Sequence, residues 1–112
     1  IIAKCRAKLE QKDFQNAQLY FDLRQYKAAA LVFNSLMNTY PDSESSDVYK
    51  LYVIKSNFLY ASMSTEEKKE ARYEQVVTDC NDFIDRFPDS KLKKQVEDYL
   101  NSSTNTIKLE KK

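Results

Sequence analysis

The 112-residue sequence contains no glycine and only two prolines. Glycine is the residue that adopts positive φ without steric cost, and the tight turns of β-hairpins depend on such dihedrals. A turn-rich β architecture is therefore poorly served by this chain. The same absence removes phosphate-cradling loops of the Walker and dinucleotide types and the strained elbow that carries a nucleophilic serine. What remains is an all-α chain of helices joined by short polar turns.

Histidine and tryptophan are also absent. Without histidine there is no Ser-His or Cys-His nucleophile pair, no imidazole acid-base group and no common zinc motif. No catalytic, cofactor-binding or metal-ligating set is expected, and the chain reads as a non-enzyme. Lys plus Arg number 18 against 17 for Asp plus Glu. That balance creates no global field toward nucleic acid or an acidic membrane surface. Apolar runs of only a few residues argue against a membrane span. A chain of this length buries roughly 60 to 70% of the surface its unfolded form exposes, enough for a core. Cys5 and Cys80 lie far apart without a CxxC pair, and both read as small buried apolar residues.

A tetrapeptide occurs twice, as Tyr40-Pro41-Asp42-Ser43 and Phe87-Pro88-Asp89-Ser90. Each closes one apolar helical stripe and opens another. Proline ends the preceding helix, and Asp and Ser offer side-chain oxygens to the free amides of the next first turn. Before the second copy, Tyr73, Val76, Val77, Cys80, Phe83, Ile84 and Phe87 recur at spacings of three and four, one face of an α-helix. Before the first, Ala29, Val32, Phe33, Leu36 and Tyr40 make an equivalent stripe.

Upstream, Ala17, Tyr20 and Leu23 share a helix face that ends near Arg24-Gln25, where Tyr26 starts the partner of an αα-hairpin. Ile2, Cys5 and Leu9 are in phase over residues 1–12, as a separate helix or as the start of one long helix to Arg24, the reading preferred here. Further helices are expected over Asp47 to Met63, from Ser64 or Thr65 as cap to Phe87, and from Lys91 to about Ile107. The chain opens at Ile1 without Met, signal sequence or lipid-attachment Cys, which reads as a piece of something longer.

Taking Pro41 as a closing proline, Ala17, Tyr20, Tyr26, Ala29 and Phe33 fall on the positions that characterise a tetratricopeptide repeat, and the segment resembles that family. Asp13 stands at the family's Trp position and Leu36 at a small one. The second unit is looser, with Tyr73 in the inter-helix aromatic place and Val76 and Cys80 replacing Ala and Phe. Its closing Pro88 lies 47 residues beyond Pro41, against about 34 in the family, so an extended first helix or connecting loop is expected. The implied organisation is 1–12 as helix from a preceding repeat, 13–41 as a repeat, 46–88 as an extended repeat and 90–107 as a capping helix, stacked as a short right-handed solenoid.

A closer likeness rests on Cys5-Arg6-Ala7-Lys8-Leu9, Ala17-Gln18-Leu19-Tyr20-Phe21, Tyr26-Lys27-Ala28-Ala29, both tetrapeptides and Phe83-Ile84-Asp85-Arg86. These stretches resemble the C-terminal repeats of the BamD family of outer-membrane β-barrel assembly lipoproteins, in the form carried by Bacteroidetes-like bacteria. The resemblance implies a lipid-anchored protein at the periplasmic face of the outer membrane. It implies docking onto the periplasmic POTRA domains of the barrel component, BamA, with other assembly-complex members as partners, no nucleic acid, and membrane contact only through an N-terminal lipid anchor absent from this chain. The alternative is a general tetratricopeptide adaptor of the cell envelope that binds an extended peptide.

Candidate surfaces follow from the residues themselves. The helix over 47–63 is apolar on two faces: Val48, Leu51, Phe58 and Leu59 on one, and Tyr49, Tyr52, Val53, Tyr60 and Met63 on the other. The second face either packs internally, as helices of a stacked array do, or docks a partner, since tyrosines bury area while keeping a polar tip. Tyr49, Tyr52, Tyr60 and Met63 are the candidate binding residues. Asp42, Glu44 and Asp47 read as capping residues, lacking the glycine of a calcium loop. Lys91, Lys93 and Lys94 and the Lys108, Lys111, Lys112 tail read as a solvated face. Asp82 with Asp85, and Glu66 with Glu67, lie on polar helix sides without the pocket that acid-base work needs.

Overall fold

The computed structural model describes residues 2–41, 43 and 45–110, with side chains over 8–41, 43 and 45–108. Five helices follow in order: α1 (Ile2–Asp22), α2 (Tyr26–Thr39), α3 (Ser46–Ser62), α4 (Glu66–Arg86) and α5 (Lys93–Glu110). No strand occurs among the described residues. Each helix packs on the next, and α3 also touches α5. The principal extents of 58 × 31 × 17 Å make the short axis about two helices deep.

Residues 2–22 form a single helix, the preferred of the two readings of this segment, with no break at residue 12. The helix ends in a turn that a glycine-free chain must build from something else. Arg24 takes φ 64°, the left-handed conformation that favours glycine. Around it the Gln25 N–H donates to the Tyr20 carbonyl and the Arg24 N–H to the Phe21 carbonyl, each at 3.0 Å. This is the Schellman pairing.

At their described residues the two tetrapeptides turn alike. Tyr40 (φ −124°, ψ 64°) and Phe87 (φ −130°, ψ 59°) both leave the helix while their N–H groups still reach the carbonyls of Leu36 and Phe83. In each turn the serine hydroxyl oxygen accepts an N–H two residues on, from Ser45 or Leu92, at 3.1 Å. That hydroxyl also donates across the fold: Ser43 to Glu10 Oε2 at 2.6 Å, Ser90 to Asp47 Oδ2 at 2.9 Å. Each turn is thereby tied to a carboxylate on the helix before the one it closes. Asp47, expected as a cap, accepts the first-turn Val48 N–H through Oδ1 at 2.8 Å and serves as that anchor through Oδ2, while Asp42 and Glu44 lie outside the described residues. At α4, Thr65 occupies the cap position without a side-chain cap bond. Ser64 donates to the Tyr60 carbonyl and accepts from Arg72.

The long spacing between the two prolines is filled by α3, of 17 residues, and by an extended α4. Helix α4 has 21 residues against 14 in α2. Its added first turns are polar, with Lys69 3.8 Å from Glu66, and they continue the helix without needing a core to cover them.

Two cores lie on either side of α3. The first gathers Ala17, Ala29, Phe33, Leu36, Met37, Tyr40, Tyr49 and Val53, with Phe14, Phe21, Val32 and Tyr52 packed against it. The second gathers Leu51, Ile54, Val76, Cys80, Phe83 and Val96, flanked by Phe58, Ile84, Phe87, Leu92, Tyr99 and Leu100. The expected stripe of α4 is buried through Tyr73, Val76, Cys80 and Phe83. Helix α1 departs from expectation. Ala17 is buried, but Tyr20, Leu23 and Leu9 are exposed, and Phe14 and Phe21 face the core in their place. The Cys5 side chain lies outside the described residues.

A charged network bridges α3 and α4. Lys50, 6% exposed, lies 3.6 Å from Asp79 and 3.1 Å from Asp82. Asp79 also accepts from Asn57 at 2.7 Å and Gln75 at 3.1 Å, so its buried carboxylate is fully engaged.

Candidate functional site

The four candidate residues on α3 do not form one surface. Tyr49 is buried, and its hydroxyl donates to Glu10 Oε2 at 2.6 Å. Burial, and then the neighbouring Glu10 carboxylate, push its phenol up to about 12. The Tyr52 ring stacks on Phe33 at 4.7 Å and 11° and meets the edges of Phe14 and Phe21 at 5.7 Å each. Its hydroxyl accepts from Gln18 Nε2 at 3.2 Å. Tyr49 is therefore a wall of the first core, and the half-buried Tyr52 packs against it. The reason is the position of α3 between two cores: its tyrosine face is covered by α1 and α2.

Tyr60 and Met63 are placed differently. They sit where α3 passes the start of α2 and the first half of α4, beside Arg24 and Lys27 on one side and Arg72 on the other. Two adjoining hollows of about 490 and 290 Å³ share Lys27, Leu31 and Tyr60 and so make one groove. Leu31 is 63% exposed and Met63 66%. The Arg72 guanidinium lies over the Tyr60 ring at 4.0 Å and hydrogen-bonds Ser64. Asp79 reaches the far end of the groove, where Lys50 neutralises it from within.

Sequence reasoning missed Arg24, Lys27, Leu31 and Arg72. One signal was available. A glycine-free hairpin has to place some side chain at its left-handed position, and that residue projects at the turn.

A second hollow, about 630 Å³, opens between α1 and α2 beside Leu19, Tyr20, Leu31 and Val32. Its one carboxylate, Asp13, accepts the Tyr40 hydroxyl at 2.9 Å. Among the described residues no group of three His, Cys, Asp or Glu is placed to hold a metal ion. Asp82 is taken up by Lys50 and Arg86, and burial pushes the Cys80 thiol up to about 12, far from the thiolate that reactivity requires. No described helix is long and apolar enough to cross a membrane.

No protein-family model matches the chain, and no curated protein matches it.

Proposed function

We propose that this chain is a protein-binding scaffold: two tetratricopeptide-like hairpins, α1–α2 and α3–α4, stacked as a short right-handed solenoid and closed by α5. The observation that carries the reading is the groove at Tyr60 and Met63, where two large apolar side chains, Leu31 and Met63, stay more than half exposed between cations. Exposed apolar area of this kind mixed with Tyr and Arg is the composition of interface hot spots. The near-identical tetrapeptide turns support the stacked-repeat arrangement, since equivalent units close with equivalent turns.

The resemblance to the BamD family gives the scaffold its setting: the periplasmic face of the outer membrane, lipid-anchored in a longer protein, docked onto the POTRA domains of the barrel component. The second reading is an adaptor that takes an extended peptide, and the continuity of the groove from Arg24 to Arg72 favours it. The two readings part in a titration of this chain by calorimetry against purified periplasmic domains of a BamA-type barrel component. Saturable binding that Met63→Asp abolishes, with helical content unchanged, supports docking of a folded domain. No heat from those domains sinks the barrel-assembly reading.

A further inference from the structure

The groove has a charge pattern that specifies its occupant. Arg24, Lys27 and Arg72 line it, and among the described residues none of the three lies within ion-pair distance of a carboxylate. Its one acidic group, Asp79, is already matched by Lys50 at 3.6 Å. The whole chain is nearly neutral at +1, so this local excess of positive charge is not a property of the surface at large. Between the cations stand the exposed side chains of Leu31 and Met63.

Resting on the protein-binding reading above, we infer that this groove takes a segment of a partner protein in which carboxylates alternate with large apolar side chains. The apolar residues would cover Leu31 and Met63, and the carboxylates would meet the three cations. Arg72 is prepared for this task. Stacking on Tyr60 and the bond to Ser64 hold its guanidinium in place while other N–H groups remain for a bidentate carboxylate. Arg24 is prepared too, since the hydrogen-bonded turn fixes its backbone. A site ordered in advance loses less entropy on binding. A polyanion such as nucleic acid would satisfy the cations but leave Leu31 and Met63 against a phosphate backbone, which gains nothing from them.

Three labelled peptides, acetylated and amidated to remove terminal charge, test the inference by fluorescence polarisation against the 112-residue chain. One alternates leucine with aspartate, one leucine with lysine, and one serine with aspartate. The leucine-aspartate peptide is expected to bind, to weaken with rising salt, and to lose about tenfold in affinity, equivalent to about 1.4 kcal/mol, on Lys27→Glu. The other two should bind far more weakly, and Leu31→Ser should weaken the first without altering its salt dependence. Lys27 is exposed, so its reversal leaves the fold intact. The reversal also has a positive readout, because Lys27→Glu should improve binding of the leucine-lysine peptide.

Equal binding of the leucine-aspartate and leucine-lysine peptides overturns the inference, as does indifference to Lys27→Glu or no binding of the first peptide. So does tighter binding of vesicles containing anionic lipid, or of duplex DNA, at the same site. Binding of the purified periplasmic domains can persist when these peptides fail, so the loss of this occupant is distinguishable from the loss of the scaffold reading.

Discussion

The cores on the two sides of α3 are built from different materials. On the α1–α2 side aromatic rings dominate: Phe14, Phe21, Phe33 and Tyr52 form a continuous set of ring contacts. Phenols and a serine then fasten it to Glu10 and Asp13 on α1. On the α4–α5 side the centre is Ile54, Val76, Cys80, Phe83 and Val96, and the equivalent turn has Phe87 where the first has Tyr40, with one carboxylate anchor, Asp47, in place of two. The difference teaches what each outer element requires. Among its described side chains, helix α1 presents Phe14, Ala17 and Phe21 to this core and is held near its middle by hydrogen bonds to the carboxylates of Glu10 and Asp13. Helix α5 presents Leu92, Val96, Tyr99 and Leu100 and is held mainly by area removed from water.

The largest expected effect sharpens this contrast. Phe33 and Phe83 are both fully buried, and truncation of either to alanine should cost about 3 to 5 kcal/mol. Phe33→Ala should fall at the upper end, because it forfeits two ring contacts, the stack on Tyr52 and the edge contact with Phe14, against the one that Phe83 makes with Phe87, each worth about 0.5 to 1.5 kcal/mol beyond burial. Urea unfolding of both variants measures the order. A Phe83→Ala variant that is the less stable by a kilocalorie or more would break the description of the first core as ring-dependent.

A smaller effect separates the two turns. Glu10→Ala strands the hydroxyls of Ser43 and Tyr49 and should cost about 2 to 3 kcal/mol, whereas Asp47→Ala strands the hydroxyl of Ser90 and frees the first-turn Val48 N–H and should cost about 1 to 2 kcal/mol. Equal costs would mean that the second carboxylate-hydroxyl tie on the first side contributes no more than the Asp47 bond to the Val48 N–H. Hydrogen exchange should place the Glu10→Ala loss in α1 and the turn after α2.

The helix stripes of α2 and α4 were legible because a buried face repeats at the helix period, and the tetrapeptides gave the turns directly. Helix α1 was harder to read. Ala17, Tyr20 and Leu23 are spaced as one face, yet Phe14 and Phe21 bracket Ala17 equally well, and periodicity cannot decide which flank points inward when both are apolar. Packing against Tyr52 and Tyr49 decides it. The same contact buries Tyr49 in the core and leaves Tyr52 half-buried against it. The carboxylate anchors were invisible to local patterns because they span 33 and 43 residues. Serines repeated in two equivalent turns did mark where to look for them.

The smallest effect concerns the third turn. Tyr40 and Phe87 leave their helices at negative φ, but the α1–α2 turn carries Arg24 at 64°. A left-handed residue with a Cβ costs about 1 to 2 kcal/mol, and glycine's added chain entropy returns about 0.5 to 1 kcal/mol of that. Arg24→Gly should therefore stabilise the chain by about 0.5 to 1 kcal/mol while weakening the leucine-aspartate peptide. A destabilised variant would show that the Arg24 side chain, and not only its backbone, supports the turn.

Helix α3 contributes Tyr49 and Val53 to one core and Leu51 and Ile54 to the other. A wall shared in this way makes the two sides hard to melt separately, since opening either exposes apolar surface on the helix that the other still needs. Coupling of this strength between neighbouring helices makes the described helices unfold as one cooperative block. A ligand seated beside Met63 at the end of α3 would then raise the melting temperature of the distant Phe83 side by mass action alone, without moving an atom there.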